Sequence, residues 1–277
     1  MKTLQDAISK MEGKGGAGQS LRKWLTAANI ETWEDLTRSN LYGFRDTVLE
    51  SVAPTTARTI FAYAKALLNR FADELELPKD WKKILTAKNE RPLRTFLTPA
   101  ELEKFEAVRT YSAAEYVVKV ESLVEAFTGA RVSDIMDLTA ENIQGDMLTY
   151  VSKKTGVRAS IPVCEKTKSW IAYAQEHRED EPTLKSRNEI IRRLCRRAGI
   201  DDTCVVYKAG ETMKGPKWQF LSSHNMRISF VTNLQKAGMD MLSLSRMSGH
   251  TNTAMTERYC APVTPELTGM ASTYLGI

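Results

Sequence analysis

Among 277 residues only four are cysteine (Cys164, Cys195, Cys204, Cys260) and three are histidine. The cysteines are scattered, with no Cys-x-x-Cys spacing, which argues against both a disulfide framework and a zinc site. Reduced thiols and no metal are expected. No run approaches the roughly 20 apolar residues of a membrane span, and the first residues lack a basic-then-apolar leader, so a soluble intracellular protein with no membrane partner is expected. The stretch "GKGGAG" has no Lys-Ser or Lys-Thr pair after it and no strand before it. It therefore reads as a flexible connection ahead of a helix beginning near Ser20, not as a phosphate loop.

What is present is an ordinary globular composition, 42% hydrophobic and 26% charged, enough for one large domain or two modest ones. A small helical domain followed by a larger one is the expectation. The net charge of +5 permits a polyanionic partner without requiring one. Its distribution says more. The segment "RNEIIRRLCRRAGI" carries Arg187, Arg192, Arg193, Arg196 and Arg197. A helix there pairs 192 with 196 and 193 with 197, giving either a solvated face or a DNA-binding one.

Residues 1–90 read as helices. In "APTTARTIFAYAKALLNRFADEL", Pro54 opens a helix that keeps Ile60, Ala64, Leu67, Leu68 and Phe71 near helical spacing. Arg58 and Lys65, two turns apart, share a face that could follow a phosphate backbone or be plain surface charge. A boundary falls at Asn89–Pro92. Thr98, Pro99 and Glu101 then supply a cap, a first-turn proline and the acid of a capping box. In the second domain, residues 91–277, Thr128-Gly129 interrupts an apolar helix and Arg131 opens the next turn. "MLTYVSKKTGVRASIPV" alternates around Lys154-Thr155-Gly156 as a β-hairpin, and helices follow to the end. The expected fold class is mostly α with a small β-sheet.

The chain then offers, in order, Thr128-Gly129-x-Arg131-x-Ser133-Asp134, Lys154 at the hairpin turn, His224-x-x-Arg227, Gly249-His250, and Tyr259 nine residues after that histidine. Alone, Arg131 fits a surface arginine, His250 a core histidine, and Tyr259 is one of nine tyrosines. In this order, with these neighbours, the set resembles the tyrosine recombinases, the phage integrase family of site-specific DNA recombinases. The resemblance covers residues 95 to 265 or so. It implies an α+β integrase-type catalytic domain and, with less specificity, a helical core-binding (SAM-like) domain over residues 1–90.

The chemistry of such a set is coherent. Cutting a phosphodiester with a protein hydroxyl needs a nucleophile, charge on the phosphate and an acid for the leaving oxygen. Tyr259 would be the nucleophile, its phenol held at a free pKa of about 10 until a neighbour shares the proton. Arg131 and Arg227 would grip the non-bridging oxygens. The resemblance implies that Lys154 protonates the 5′-oxygen, His224 assists the proton transfer at the nucleophile, His250 hydrogen-bonds the phosphate and Asp134 orients the site. Lys153 adjoins Lys154 and strand alternation separates the two; Lys154 is preferred because it directly precedes Thr-Gly at the turn. The family keeps the bond energy in a 3′-phosphotyrosine link, so no cofactor is expected.

Where the family often carries Arg after the His-x-x-Arg arginine and Leu before Gly-His, this chain has Ile228 and Ser248. The amino-terminal part leaves little room for an arm-binding domain, so binding at simple core sites is expected. The resemblance further implies a specific double-stranded DNA site and a tetramer in the synapse, from monomers or dimers off DNA. It also leaves room for a DNA-bending accessory protein, and it implies a tail from Cys260 that packs on a neighbouring protomer or on its own domain. The setting would be a prokaryotic or phage-host cytoplasm, at the nucleoid, with roles such as integration of a mobile element. Two other functions stay open. A type IB topoisomerase-like or hairpin-forming strand transferase would nick and reseal without exchange, and a non-catalytic DNA-binding regulator would retain only the fold.

Overall fold

The structure, a computed structural model, describes residues 3–11, 16–88, 93–180, 182–208 and 211–257. They form two compact units, Met1–Pro92 with Tyr207–Glu211, and Leu93–Val206 with Thr212–Ile277. The fold is mostly helical with small sheets.

The first unit holds α1 (Leu4–Ser9), α2 (Ala17–Ala27), α3 (Arg38–Ser51), α4 (Pro54–Arg70) and α5 (Trp81–Ile84). Helix α2 starts at Ala17, earlier than the expected Ser20, because Gly16 supplies a left-handed backbone at its N-cap (φ 79°). Pro54 begins α4, where its missing N–H costs nothing. Ile60, Ala64, Leu67 and Leu68 face the core with Ala57 and Phe61, and Phe61 meets Phe44 of α3 edge-on at 5.9 Å. Arg58 is exposed and Lys65 half-buried on the flank of that buried stripe.

The second unit contains α6 (Pro99–Ala107), α7 (Ala113–Thr128), α8 (Val132–Ile135), β1 (Ile143–Gln144), β2 (Met147–Val151), β3 (Arg158–Pro162), α9 (Glu165–Glu176), α10 (Leu184–Arg197), most of β4 (Thr203–Lys208) and β5 (Glu211–Pro216), α11 (Ser223–Lys236), α12 (Met241–Met247) and α13 (Thr253–Glu257). The capping box at Thr98 and Glu101 starts α6. The predicted hairpin is β2–β3, with Leu148 opposite Ile161 and Tyr150 opposite Ala159; β1 extends it to an antiparallel sheet in the order β1-β2-β3. One expectation fails. Helices do not run unbroken to the end, because β4 and β5 form a second, two-stranded sheet. Strand β5 lies exposed along most of its length, so no apolar alternation announces it.

Helix α7 is the axis of this unit and packs against α9, α10 and α11. It is buried nearly all round, through Val117, Val118, Val120, Leu123 and Val124, as befits an interior helix. Three glutamates are buried with them, and α10 supplies their partners. Arg187, 1% exposed, donates to Glu121 and to Glu125 (3.2 Å), so it does not stand with the basic face the sequence suggested. Burial pushes Glu125 up to about 8 against the pull of Arg187. Glu115 is held down at about 2, chiefly by Arg197 (2.9 Å), despite some desolvation; Arg193 (2.9 Å) adds to the effect. Cys164, Cys195 and Cys204 are free thiols, and Cys260 lies outside the described residues.

Candidate active site

The site is assembled at the ends of elements. Helix α7 stops at Gly129, whose left-handed backbone (φ 66°) turns the chain so that Arg131 becomes the N-cap of α8. A Cβ on Gly129 would lie 2.4 Å from Phe230 Cδ1, so the residue is needed for space as well as for its φ. Its carbonyl accepts from Arg227 Nη1, and the Ser248 carbonyl accepts from Arg227 Nη2 at 2.5 Å. Two carbonyls, from the α7–α8 corner and the end of α12, thus orient a guanidinium that is only 1% exposed.

Arg131 donates to Ser152 Oγ at 2.6 Å and stands 3.7 Å from Asp134. Asp134, buried, accepts from Ser152 Oγ (3.0 Å) and from the Lys153 backbone N–H (2.9 Å). One carboxylate therefore ties the arginine to the hairpin that carries both lysines. The turn is closed by Gly156 N–H to Ser152 O (2.8 Å), and Thr155 Oγ1 donates to the Gly249 carbonyl at 3.0 Å. Gly249, also left-handed (φ 60°), packs against Ala159 and Ser152. Lys153 pairs with Asp137 at 2.5 Å. The exposed Lys154 acts on His224 by its charge.

His250, 3% exposed, has Nδ1 between Ser248 Oγ (3.0 Å) and Thr256 Oγ1 (2.9 Å), which sets the plane of its ring. Burial, then the charges of Arg227 and Arg131, push it down to about 3. His224 sits in the first turn of α11, with Nε2 at 2.9 Å from Arg94 Nη1. Desolvation, then Arg94, Arg227, Arg131 and Lys154, push it down to about 4. Tyr150 of β2 is buried beside them and pushed up to about 12 by desolvation, while Arg227 opposes that rise.

Arg131, His224, Arg227 and His250 therefore converge, with Asp134 behind them and Lys154 at the edge. Tyr259 lies outside the described residues. Sequence reasoning missed Arg94, Ser152, Tyr150 and Thr256. It noted Ser248 only as a departure, although its hydroxyl touches His250. Of the arginines on α10, Arg193 and Arg197 are engaged by Glu115, Arg196 lies over Trp218 (5.2 Å), and Arg192 is half-buried. Such a surplus of fixed positive charge around two neutral imidazoles suits a phosphodiester, with forked donors for its oxygens and bases for a proton. Among the described residues no group of three or more His, Cys, Asp or Glu is placed to hold a metal ion. No described helix is long and apolar enough to cross a membrane.

The model of the phage integrase family matches residues 95–264. Tyrosine recombinase XerC of Roseiflexus sp. (strain RS-1) is 22% identical over 253 residues, 85% of this chain and 78% of that protein. The Tn1549 transposon integrase in complex with transposon right end DNA is similar in fold, with a TM-score of 0.68 at 16% identity over 100% of both chains. A lambda integrase dimer bound to a COC′ core site gives 0.66 at 16% identity, over 93% of this chain and 95% of that one. A lambda integrase tetramer bound to a Holliday junction gives 0.64 at 16% identity, over 94% and 77%.

Proposed function

The chain belongs to the phage integrase family, and on that premise we propose that it is a site-specific DNA recombinase acting through a 3′-phosphotyrosine link on Tyr259. The observation that carries the reading is the convergence of Arg131, His224, Arg227 and His250 around a hairpin turn fixed by Asp134. Arg131 and Arg227 take the non-bridging oxygens of the scissile phosphate, where negative charge grows in the transition state. Their hydrogen bonds to Ser152, Gly129 and Ser248 hold them in place beforehand, so little reorganisation is needed.

The tyrosine oxygen attacks phosphorus, the bond from phosphorus to the 5′-oxygen breaks, and Lys154 gives that oxygen its proton. His224 receives the phenol proton, and His250 hydrogen-bonds the phosphate. A 5′-hydroxyl of the partner duplex then attacks the link and releases Tyr259, which gives the Holliday junction and then exchange. No cofactor enters. Asp134 is a positioning residue, because it touches the hairpin and Arg131 and leaves the reacting atoms to others.

The unit Met1–Pro92 is the core-binding domain in this reading, with Arg58 and Lys65 on DNA phosphates, and Arg192, Arg193, Arg196 and Arg197 are further candidates for the backbone. Lambda integrase is seen as a dimer on a core site and a tetramer on a Holliday junction. Those relatives support a homo-oligomer on double-stranded DNA, and this reading would place it in the cytoplasm of a prokaryotic or phage-host cell. A DNA-bending accessory protein would complete the assembly.

The test is incubation with nicked suicide DNA bearing candidate sites from beside the coding region, with chelator and no nucleotide. A covalent adduct is expected on a denaturing gel, and Tyr259→Phe should abolish it. Clear binding without adduct would overturn the reading.

A further inference from the structure

The segment that leads into α6 is fastened along α11 by a stripe of polar side chains. Asn225, Ser229 and Asn233 recur every four residues and so share one face of that helix. Asn225 Nδ2 donates to the Thr95 carbonyl (2.8 Å), the Leu97 N–H donates to Ser229 Oγ (2.8 Å), and Asn233 Nδ2 donates to the Leu97 carbonyl (2.9 Å). Thr95 and Leu97 are buried, and their backbone groups find partners there that water cannot supply. The strap begins one residue after His224. It brings Arg94, exposed and next to Thr95, to within hydrogen-bond distance of Nε2 on that ring.

A guanidinium has no lone pair to offer, so a hydrogen bond at this place makes Nε2 the acceptor. That is the atom a base would need for the phenol proton. The other charges acting on the ring come from Arg227 on the same helix, Arg131 at the start of α8 and Lys154 on the hairpin turn, with His250 beyond α12 close enough to be affected by it. All of the charged groups are cations. They disfavour the imidazolium, and only an arriving anion reverses their effect.

We propose that Arg94 is a further residue of the strand-transfer site: without DNA it caps Nε2 of His224, and bound DNA draws its guanidinium onto a phosphate oxygen and exposes that nitrogen. The proposal rests on the recombinase reading for its second half only. Arg94 then serves twice, as a cover on an idle base and as a third guanidinium for the phosphate, and the polar stripe on α11 is the positioning device.

Two measurements on the full chain test it, with Arg94→Gln and Arg94→Lys. The first is an NMR titration of His224 without DNA, its signal assigned by loss in His224→Gln. Removing the cation in Arg94→Gln is expected to raise the midpoint by about one pH unit, with Arg94→Lys in between. The second is the single-turnover rate of adduct formation on suicide DNA at saturating concentration. A fall of roughly tenfold or more is expected for Arg94→Gln, partly restored by Arg94→Lys. An unmoved His224 midpoint refutes the cap, and an unchanged rate at saturation refutes the phosphate contact. If the wild-type chain forms no adduct at all, the recombinase reading falls and the titration alone decides the cap.

Discussion

Replacing Gly129 with alanine tests whether the α7–α8 corner is built for close approach. Two costs add. An alanine at φ 66° pays about 1–2 kcal/mol for the left-handed backbone. Its Cβ would also stand 2.4 and 2.8 Å from Cδ1 and Cε1 of Phe230, an overpacking worth about 1–3 kcal/mol in a core that must shift to admit it. A stiffer unfolded chain returns about 0.4–1 kcal/mol. The net loss is about 1–5 kcal/mol, centred on about 3. Gly199 is the control, with φ 69° but nothing within 4 Å of its Cβ, so Gly199→Ala should lose only about 1 kcal/mol. Denaturant midpoints of the three proteins, at equal slope, measure both. Phe230 lies three residues from Arg227, and Arg227 donates to the Gly129 carbonyl, so adduct formation should fall in Gly129→Ala under conditions where the protein stays folded. Equal destabilisation of the two variants would refute the packing argument.

Asp134→Ala should cost about 1–3 kcal/mol by leaving the Lys153 N–H without its acceptor, and should slow adduct formation more than DNA binding, which gel shift and adduct assays separate. A variant whose two losses are equal would argue against a role in positioning the hairpin. Acid should destabilise the wild-type chain in part through His250. Its folded value of about 3 lies below the ordinary 6.5, so the unfolded chain takes the proton first; the contribution is complete above about pH 6.5 and is lost as pH falls towards 3. The slope from this one group approaches about 1.4 kcal/mol per pH unit. It should be missing from His250→Asn, and parallel stability curves for the two proteins between pH 4 and 6.5 would refute the attribution.

The sequence was most informative where one residue's chemistry dictates its place. Proline and capping residues marked the starts of α4 and α6, glycine marked the end of α7, and alternation marked β2 and β3. The ordered motifs singled out Arg131, His224, Arg227 and His250, which the structure brings near one another. What stayed hidden works through backbone groups or through residues distant in sequence. Ser152 matters because its hydroxyl bridges Arg131 and Asp134, and Arg94 because a strap returns it to a helix that begins 129 residues later. No local pattern encodes either. The basic face of α10 was legible as charge but not as partnership, since its acceptors lie on α7, some seventy positions earlier.

That partnership bears on why the site itself stays positive. The three glutamates of α7 are taken up by Arg187, Arg193 and Arg197, all from α10, and Asp134 gives its two oxygens to Ser152 and to the Lys153 N–H. The α7 carboxylates are thereby committed to holding helices, and Asp134, 3.7 Å from Arg131, pairs with one of the site's two arginines. Arg227 is instead held by two carbonyls, which orient a guanidinium without cancelling its charge. Folding therefore gathers like charges at some cost, and these charges add to desolvation in depressing both histidines. An anion that enters the site supplies the missing countercharge, and the stabilisation it brings is available for the two states in which phosphate charge is greatest: the bound substrate and, more strongly, the transition state.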